Sequence, residues 1–290
     1  MLSLWQGLPV MVRAILSGML VAAAGTIPWA LLVGGNLKFL PSVPWAVPPT
    51  ILFLWLFWRY LQGEGWPRST AAARRTSLRA NGLSPEVWGA SLLAGTLGLI
   101  TVVLLSGVLN RLARLPQQQI PDLSQIPTLT VAAFLLTSAA VAGIVEEAAY
   151  RGYMQGPIER RHGPLAAILT TGTLFGFMHF THPEVTLILM PYYLAVAAVY
   201  GALAWLTNSI WPSMVLHAFG NVFSSIGLLA GGNSEWQASS KPAPLIWETG
   251  TDASFWTACA AVVIVGAATA AAYAALAGVA RKAQKGEAPT

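Results

Sequence analysis

The strongest constraint on this chain is a series of apolar runs, each long enough to cross a lipid bilayer. A spanning helix needs roughly 20 apolar residues. Candidates lie near 10–34, 43–62, 87–108, 129–157, 164–181, 186–207, 210–230 and 254–279, about eight spans in all. Irregular backbone cannot face hydrocarbon, because its N–H and C=O groups would find no partner there, so these runs must be helical. Composition agrees. Only 9% of the 290 residues are charged, against about 25% in an average soluble domain. The expected architecture is all-α, a polytopic bundle forming one membrane domain over 1–290.

The first run has VAAA at 21–24, which resembles a signal-peptide cleavage site. Its apolar stretch is too long for a signal peptide and only Arg13 precedes it, so it reads as a retained span. With both termini inside, twelve of the sixteen Lys and Arg residues fall on cytoplasmic segments. The other four, Lys38, Arg111, Arg114 and Lys241, fall outside. The positive-inside rule therefore predicts cytoplasmic N- and C-termini, as in a bacterial plasma membrane. Trp29, Trp45, Trp66 and Trp211 fall near predicted span ends, where indole rings favour the headgroup region. PQQQIPDLSQIPT (116–128) and GGNSEWQASSKPAP (231–244) read as outside loops. A lone cysteine, Cys259, excludes an intrachain disulfide and a cysteine-based metal site. No basic–aromatic interleaving points to nucleic acid, and no internal repeat is seen.

Ionisable groups within spans are expensive and usually face one another or a cavity. Three pairs have i, i+4 spacing and so share a helix face: Glu147 with Arg151, Phe175 with His179, and His217 with Asn221. Glu147 precedes Arg151, the favourable order for a helical ion pair. On an α-helix Glu146 is rotated about 100° away and keeps no local cation, which suits a general base working near neutrality. Glu146 and His179 are equidistant in sequence from the turn expected at ERRHG (159–163), so an antiparallel hairpin sets both at one level. That level is about 16–22 Å deep at 1.5 Å per residue. A straight sixth span leaves His217 short of it. A tilted span, or an irregular path through THPEVTLILMP (181–191), closes the gap.

Taken singly, each group has an ordinary structural reading. EEAAYR (146–151) can be an interfacial anchor, His179 an interfacial histidine, and His217 with Asn221 an interhelical hydrogen-bonding pair. His162, His182 and Glu184 read as loop residues, and Asn208 as part of a turn. Jointly these readings weaken, since Glu146, His179, His217 and Asn221 are among the few ionisable or amide side chains of three spans.

EEAAYR, FGFMH (175–179) and HAFGN (217–221) resemble, in order and spacing, the EExxxR, FxxxH and HxxxN motifs of the type II CAAX prenyl endopeptidase and bacteriocin-processing (CPBP) intramembrane proteases. The resemblance covers 129–230, which would be the catalytic core. It implies a cytosol-facing polar cavity inside the membrane. It also implies that Glu146 activates the hydrolytic water with help from His179, that His217 and Asn221 stabilise the oxyanion, and that Glu147 and Arg151 support the glutamate. Phe175 accompanies His179.

The resemblance implies reaction type more firmly than substrate, which would be a prenylated or membrane-embedded protein cut near its C-terminus. No cofactor is expected. Zinc held by Glu146, His179 and His217 is the alternative, with one position left for water. HExxH is absent, and asparagine is a poor zinc ligand but a good hydrogen-bond donor, which favours direct activation of water by glutamate. A non-catalytic immunity or scaffold protein that keeps the same fold is the second functional class. A transporter using Glu146 as a proton relay is a third, disfavoured because no inverted repeat is present.

Overall fold

The structure, a computed structural model, describes residues 2–115, 123–181, 187–231 and 243–286. Among the described residues the secondary structure is helical and no strand occurs. In chain order the helices are α1 (Leu2–Gly7), α2 (Val10–Phe39), α3 (Val47–Leu61), α4 (Ala71–Leu78), α5 (Pro85–Leu112) and α6 (Thr128–Val141). After these come α7 (Gly156–Met178), α8 (Met190–Thr207), α9 (Trp211–Gly231), α10 (Ile246–Thr249) and α11 (Ala253–Lys285). Between α6 and α7 the chain runs on as a π-helix over Ala142–Gln155.

Each of the predicted runs is helical. Among the described residues five helical stretches are long and apolar enough to cross a membrane: Val10–Phe39, Pro85–Leu112, Thr128–Met178, Leu187–Thr207 and Ala253–Lys285. The α3 helix is apolar but has only 15 residues. The fourth and fifth predicted runs belong to one helical stretch, Thr128–Met178. The turn expected at ERRHG is a break at one residue, Gly163, whose φ of 83° and ψ of 165° leave the helix just before Pro164. Glycine takes this left-handed φ without steric cost, and the proline ring keeps its predecessor out of the α region. His162 is exposed beside that break. The positions of His182 and Glu184 lie outside the described residues.

The helices begin and end where local chemistry dictates. Ser84 caps α5 by accepting the Val87 N–H at 3.4 Å, with Pro85 as the first helical residue. Asp252 caps α11 by accepting the Phe255 N–H at 2.8 Å. The first predicted run ended at residue 34, but α2 continues to Phe39, about 45 Å of helix at 1.5 Å per residue. Trp29 therefore lies well inside the helix rather than at its end. Trp66 is 86% exposed between helices, and Trp211 opens α9 with its ring 5.1 Å from that of Trp58. Asn36 is fully buried near the end of α2. It donates to the Leu40 and Val43 carbonyls at 2.8 and 2.9 Å and accepts the Ala46 N–H at 2.8 Å, so it closes the turn into α3.

The chain divides into two compact units. The first comprises Met1–Asn81, Pro121–Thr171 and Asn208–Val222, and the second comprises Gly82–Ile120, Gly172–Thr207 and Phe223–Thr290. The π-helix is the hub of the first unit, packed by α2, α4 and α6. Small residues make this possible, as is usual between helices in lipid. A Cβ at Gly18 would stand 2.9 Å from the Ala149 carbonyl oxygen. In the second unit α5 packs on α11 and α8. Thr101 bonds Thr269 at 2.8 Å, and Tyr273 donates to the Val199 carbonyl at 2.9 Å. Arg111 donates to both Asp252 oxygens, at 3.3 and 3.1 Å. The Ser254 hydroxyl first, and then Arg111, hold the Asp252 carboxyl well below the usual carboxylate range.

Burial departs from that of a water-soluble domain at both ends of the polarity scale. Leu31, Leu165, Phe223 and Val263 are each 70% exposed or more, whereas Glu147, Arg151, Gln155 and His217 are buried. Apolar side chains outside and ionisable ones inside are what a lipid solvent selects.

Candidate active site

The first unit brings four of the predicted site residues together. Glu147 and Arg151 lie on the π-helix, one turn apart, and are 0% and 1% exposed. Arg151 Nη1 donates to Glu147 Oε1 at 2.9 Å. His217 enters from α9, and its Nδ1 lies 2.8 Å from the same Glu147 oxygen. The opposite ring nitrogen, Nε2, lies 3.7 Å from Glu146 Oε2. The imidazole thus stands between two carboxylates that are neighbours in sequence.

Helix form explains how both glutamates reach one imidazole. An α-helix would turn Glu146 about 100° from Glu147, the geometry expected from sequence. The π-helix instead closes hydrogen bonds five residues apart. Residues four and five positions before Arg151, namely Glu147 and Glu146, then share the side of the helix that Arg151 occupies. The expected α-helical separation of the two acids is corrected accordingly, while Glu147 holds the Arg151 pair as its spacing predicts. Glu147 holds the two short contacts, and Glu146 faces the far side of the same ring. Its Oε2 is shielded from solvent and accepts no hydrogen bond among the described residues. π-Helical segments are rare and recur at functional sites.

The chemistry of Glu147 fixes the proton on His217. An ionised carboxylate only accepts, so Nδ1 must be the donor. In the neutral ring Nε2 is then an acceptor, and it becomes a donor only in the imidazolium form. With His217 protonated, Glu146, Glu147, Arg151 and His217 sum to zero charge, the arrangement that a low-dielectric interior tolerates best.

Two further residues complete the site, and motif reading did not find them. Gly143, one turn before Glu147, lets α9 approach: a Cβ there would lie 2.9 Å from Ala218 Cβ and 3.0 Å from the Met214 carbonyl oxygen. Ser213, one turn before His217, is fully buried and adds a hydroxyl beside Glu147. Both stand four residues before a motif residue, the one signal in sequence that could have drawn attention to them. Gly143→Val is expected to cost about 1–3 kcal/mol by overpacking and to part His217 from Glu147. Thermal unfolding of the purified protein checks this. A melting curve matching wild type would mean that the helices do not approach so closely.

Asn221 follows His217 by one turn on α9, half-buried and within the first unit. Phe175 and His179 belong to the second unit. There His179 Nδ1 lies 2.8 Å from the Phe175 carbonyl oxygen. A carbonyl only accepts, so Nδ1 carries the proton and Nε2 is the acceptor nitrogen. The ring lies between Phe175 and Tyr193, with centroids 4.6 and 4.5 Å away. Tyr193, 2% exposed, is a second aromatic wall that the FxxxH spacing did not disclose. Among the described residues no three His, Cys, Asp or Glu side chains are grouped to hold a metal ion.

Residues 127–223 match the family model Rce1-like, described as type II CAAX prenyl endopeptidase Rce1-like. The match spans the π-helix, α7, α8 and the part of α9 that carries His217 and Asn221. No curated protein and no solved structure matches the chain. Residues 127–223 therefore match a domain of a protease family, and five helical stretches among the described residues are long and apolar enough to cross a membrane.

Proposed function

We propose that the Rce1-like domain hydrolyses a peptide bond within the membrane, using water activated by Glu146. The observation that carries this reading is the buried row Arg151–Glu147–His217, which ends 3.7 Å from the Glu146 carboxylate. Glu146, a group that can take a proton, thus faces an imidazole whose Nδ1 proton is held by its other partner, Glu147.

The reaction follows from those roles. Glu146 takes a proton from water while the oxygen attacks the substrate carbonyl carbon. His179 helps to hold the water. The imidazolium of His217, through Nε2–H, and the Asn221 amide donate to the oxyanion that forms, a term worth about 10²–10³-fold per donor in kcat. Glu146 then delivers its proton to the leaving nitrogen as the C–N bond breaks, releasing a carboxylate and an amine. Glu147 and Arg151 take no proton in this scheme. They orient His217 and balance its charge.

In this reading the helices form about eight spans, with both termini cytoplasmic and a polar cavity opening to the cytosolic leaflet. The substrate is a prenylated or otherwise membrane-embedded protein. A lipid tail partitions into the bilayer and brings the scissile bond sideways to the site. No step is routed through zinc.

The test is mass spectrometry of products from the purified protein in lipid vesicles, given a prenylated peptide and its unmodified counterpart, with and without chelator. The expected result is cleavage near the C-terminus of the membrane-bound peptide that chelator leaves unchanged. Loss of cleavage on chelation, restored by zinc, would overturn the glutamate-only mechanism. No product from either peptide, with a cellular phenotype that survives joint replacement of Glu146 and His179, would favour the non-catalytic scaffold.

A further inference from the structure

Among the described residues two non-glycine positions have positive φ, Arg79 at 57° and Asn208 at 49°. They lie 129 positions apart in sequence and bond each other: Arg79 Nε donates to Asn208 Oδ1 at 3.2 Å. Asparagine tolerates the left-handed region, but arginine is uncommon there. Such conformations persist only where the surroundings over-determine them, and they gather near functional sites.

The surroundings of Arg79 do so. The residue is 3% exposed and terminates α4. Its guanidinium reaches both Glu159 oxygens, at 3.2 and 3.3 Å, and the Arg151 carbonyl at 3.5 Å. Its own carbonyl accepts the Ile210 N–H at 3.1 Å. Two residues on, Asn81 donates to the Asn208 carbonyl at 2.6 Å and accepts the Ser209 hydroxyl at 2.8 Å. Segment 79–81 is therefore clasped to segment 208–210, the lead into α9. The same segment lies flush on the helix bearing the glutamates. A Cβ at Gly152 would stand 3.0 Å from the Ser77 and Leu78 carbonyl oxygens, and one at Gly156 would stand 3.0 Å from Arg79 Cδ.

These contacts share one geometric consequence. Arg151, whose carbonyl Arg79 holds, is one turn from Glu147. Ile210, whose amide Arg79 holds, is two turns from His217. One side chain and its backbone thus set the axial register of α9 against the π-helix, and that register decides whether His217 meets the carboxylates. We propose that Arg79, clasped to Asn208, is a positioning residue that fixes His217 between Glu147 and Glu146. The proposal rests on the role given above to His217, but not on catalysis for its test.

The readout is nitrogen NMR of the full chain in lipid nanodiscs with ¹⁵N-labelled histidine, His217 being assigned after replacement of His162, His179 and His182. Two variants are compared with wild type. Arg79→Lys keeps the charge but cannot hold Glu159 and Asn208 together. Asn208→Gly removes the side-chain partner and still allows positive φ, so it serves if the lysine variant fails to fold. The expected spectrum shows His217 Nδ1 fully protonated in wild type, as in the imidazolium, and Nδ1 deprotonated in part of the population in either variant. In parallel, kcat falls about 10- to 10²-fold, the scale of a small misplacement of a catalytic group, with KM little changed. A His217 signal in both variants identical to wild type would overturn the proposal. If wild type cleaves nothing, the hydrolytic reading fails, and the His217 signal still decides the positioning claim.

Discussion

Glu146→Gln is expected to lower kcat for peptide cleavage by about 10²–10⁴-fold, the contribution of a positioned general base. Glutamine keeps the size and shape of the side chain but cannot take a proton from water. The Glu146 side chain is 28% exposed, makes no ion pair with arginine, and is not a principal anchor of the fold. Its loss should therefore leave thermal unfolding unchanged, and KM should move little. The measurement is steady-state cleavage of the membrane peptide alongside a melting curve in the same detergent. Full activity in a well-folded Glu146→Gln protein would remove the acid from the mechanism.

Arg151→Met has the opposite profile, with a large effect on stability. Arg151 and Glu147 are 1% and 0% exposed, so deleting the guanidinium leaves a buried carboxylate with His217 as its remaining short contact. Breaking a buried pair from one side typically costs about 3–5 kcal/mol, while replacing both partners with apolar residues is often neutral. Arg151→Met should therefore unfold at much lower denaturant concentration than wild type. Adding Glu147→Leu should recover most of that loss. The double variant should nonetheless remain inactive, because His217 Nδ1 then loses the Glu147 carboxylate that holds it. An Arg151→Met protein within about 1 kcal/mol of wild type, the median value of an exposed ion pair, would mean that water reaches the pair. The two variants separate chemistry from support: Glu146 is expected to affect rate alone, and Arg151 both rate and fold.

Sequence and structure agree wherever the information is local. Apolar runs became helices because a bilayer-length apolar stretch satisfies all its backbone groups within itself only in that form. The break at Gly163–Pro164 was signalled by residue type, although the expected five-residue turn shrank to one glycine. Glu147 and Arg151 met at i, i+4 as their spacing requires. The turn at Asn208 was visible beside Trp211–Pro212, but its partner Arg79 was not, since nothing local marks an arginine for the left-handed region. The π-helical register left no mark in composition either. Assuming an α-helix therefore set the two glutamates on faces about 100° apart, where the π-helix turns both toward one imidazole.

By itself, then, the order of residues established a helical protein for lipid, with acids, histidines and an amide set at single-turn intervals. Tertiary structure decided which of these side chains meet. His217 and Glu147 are separated by 70 positions, and their contact depends on how closely two helices approach at Gly143. Spacing along one helix follows from backbone geometry, which every residue carries. The approach and register of two helices follow from packing of side chains remote in the chain, and no local pattern records that.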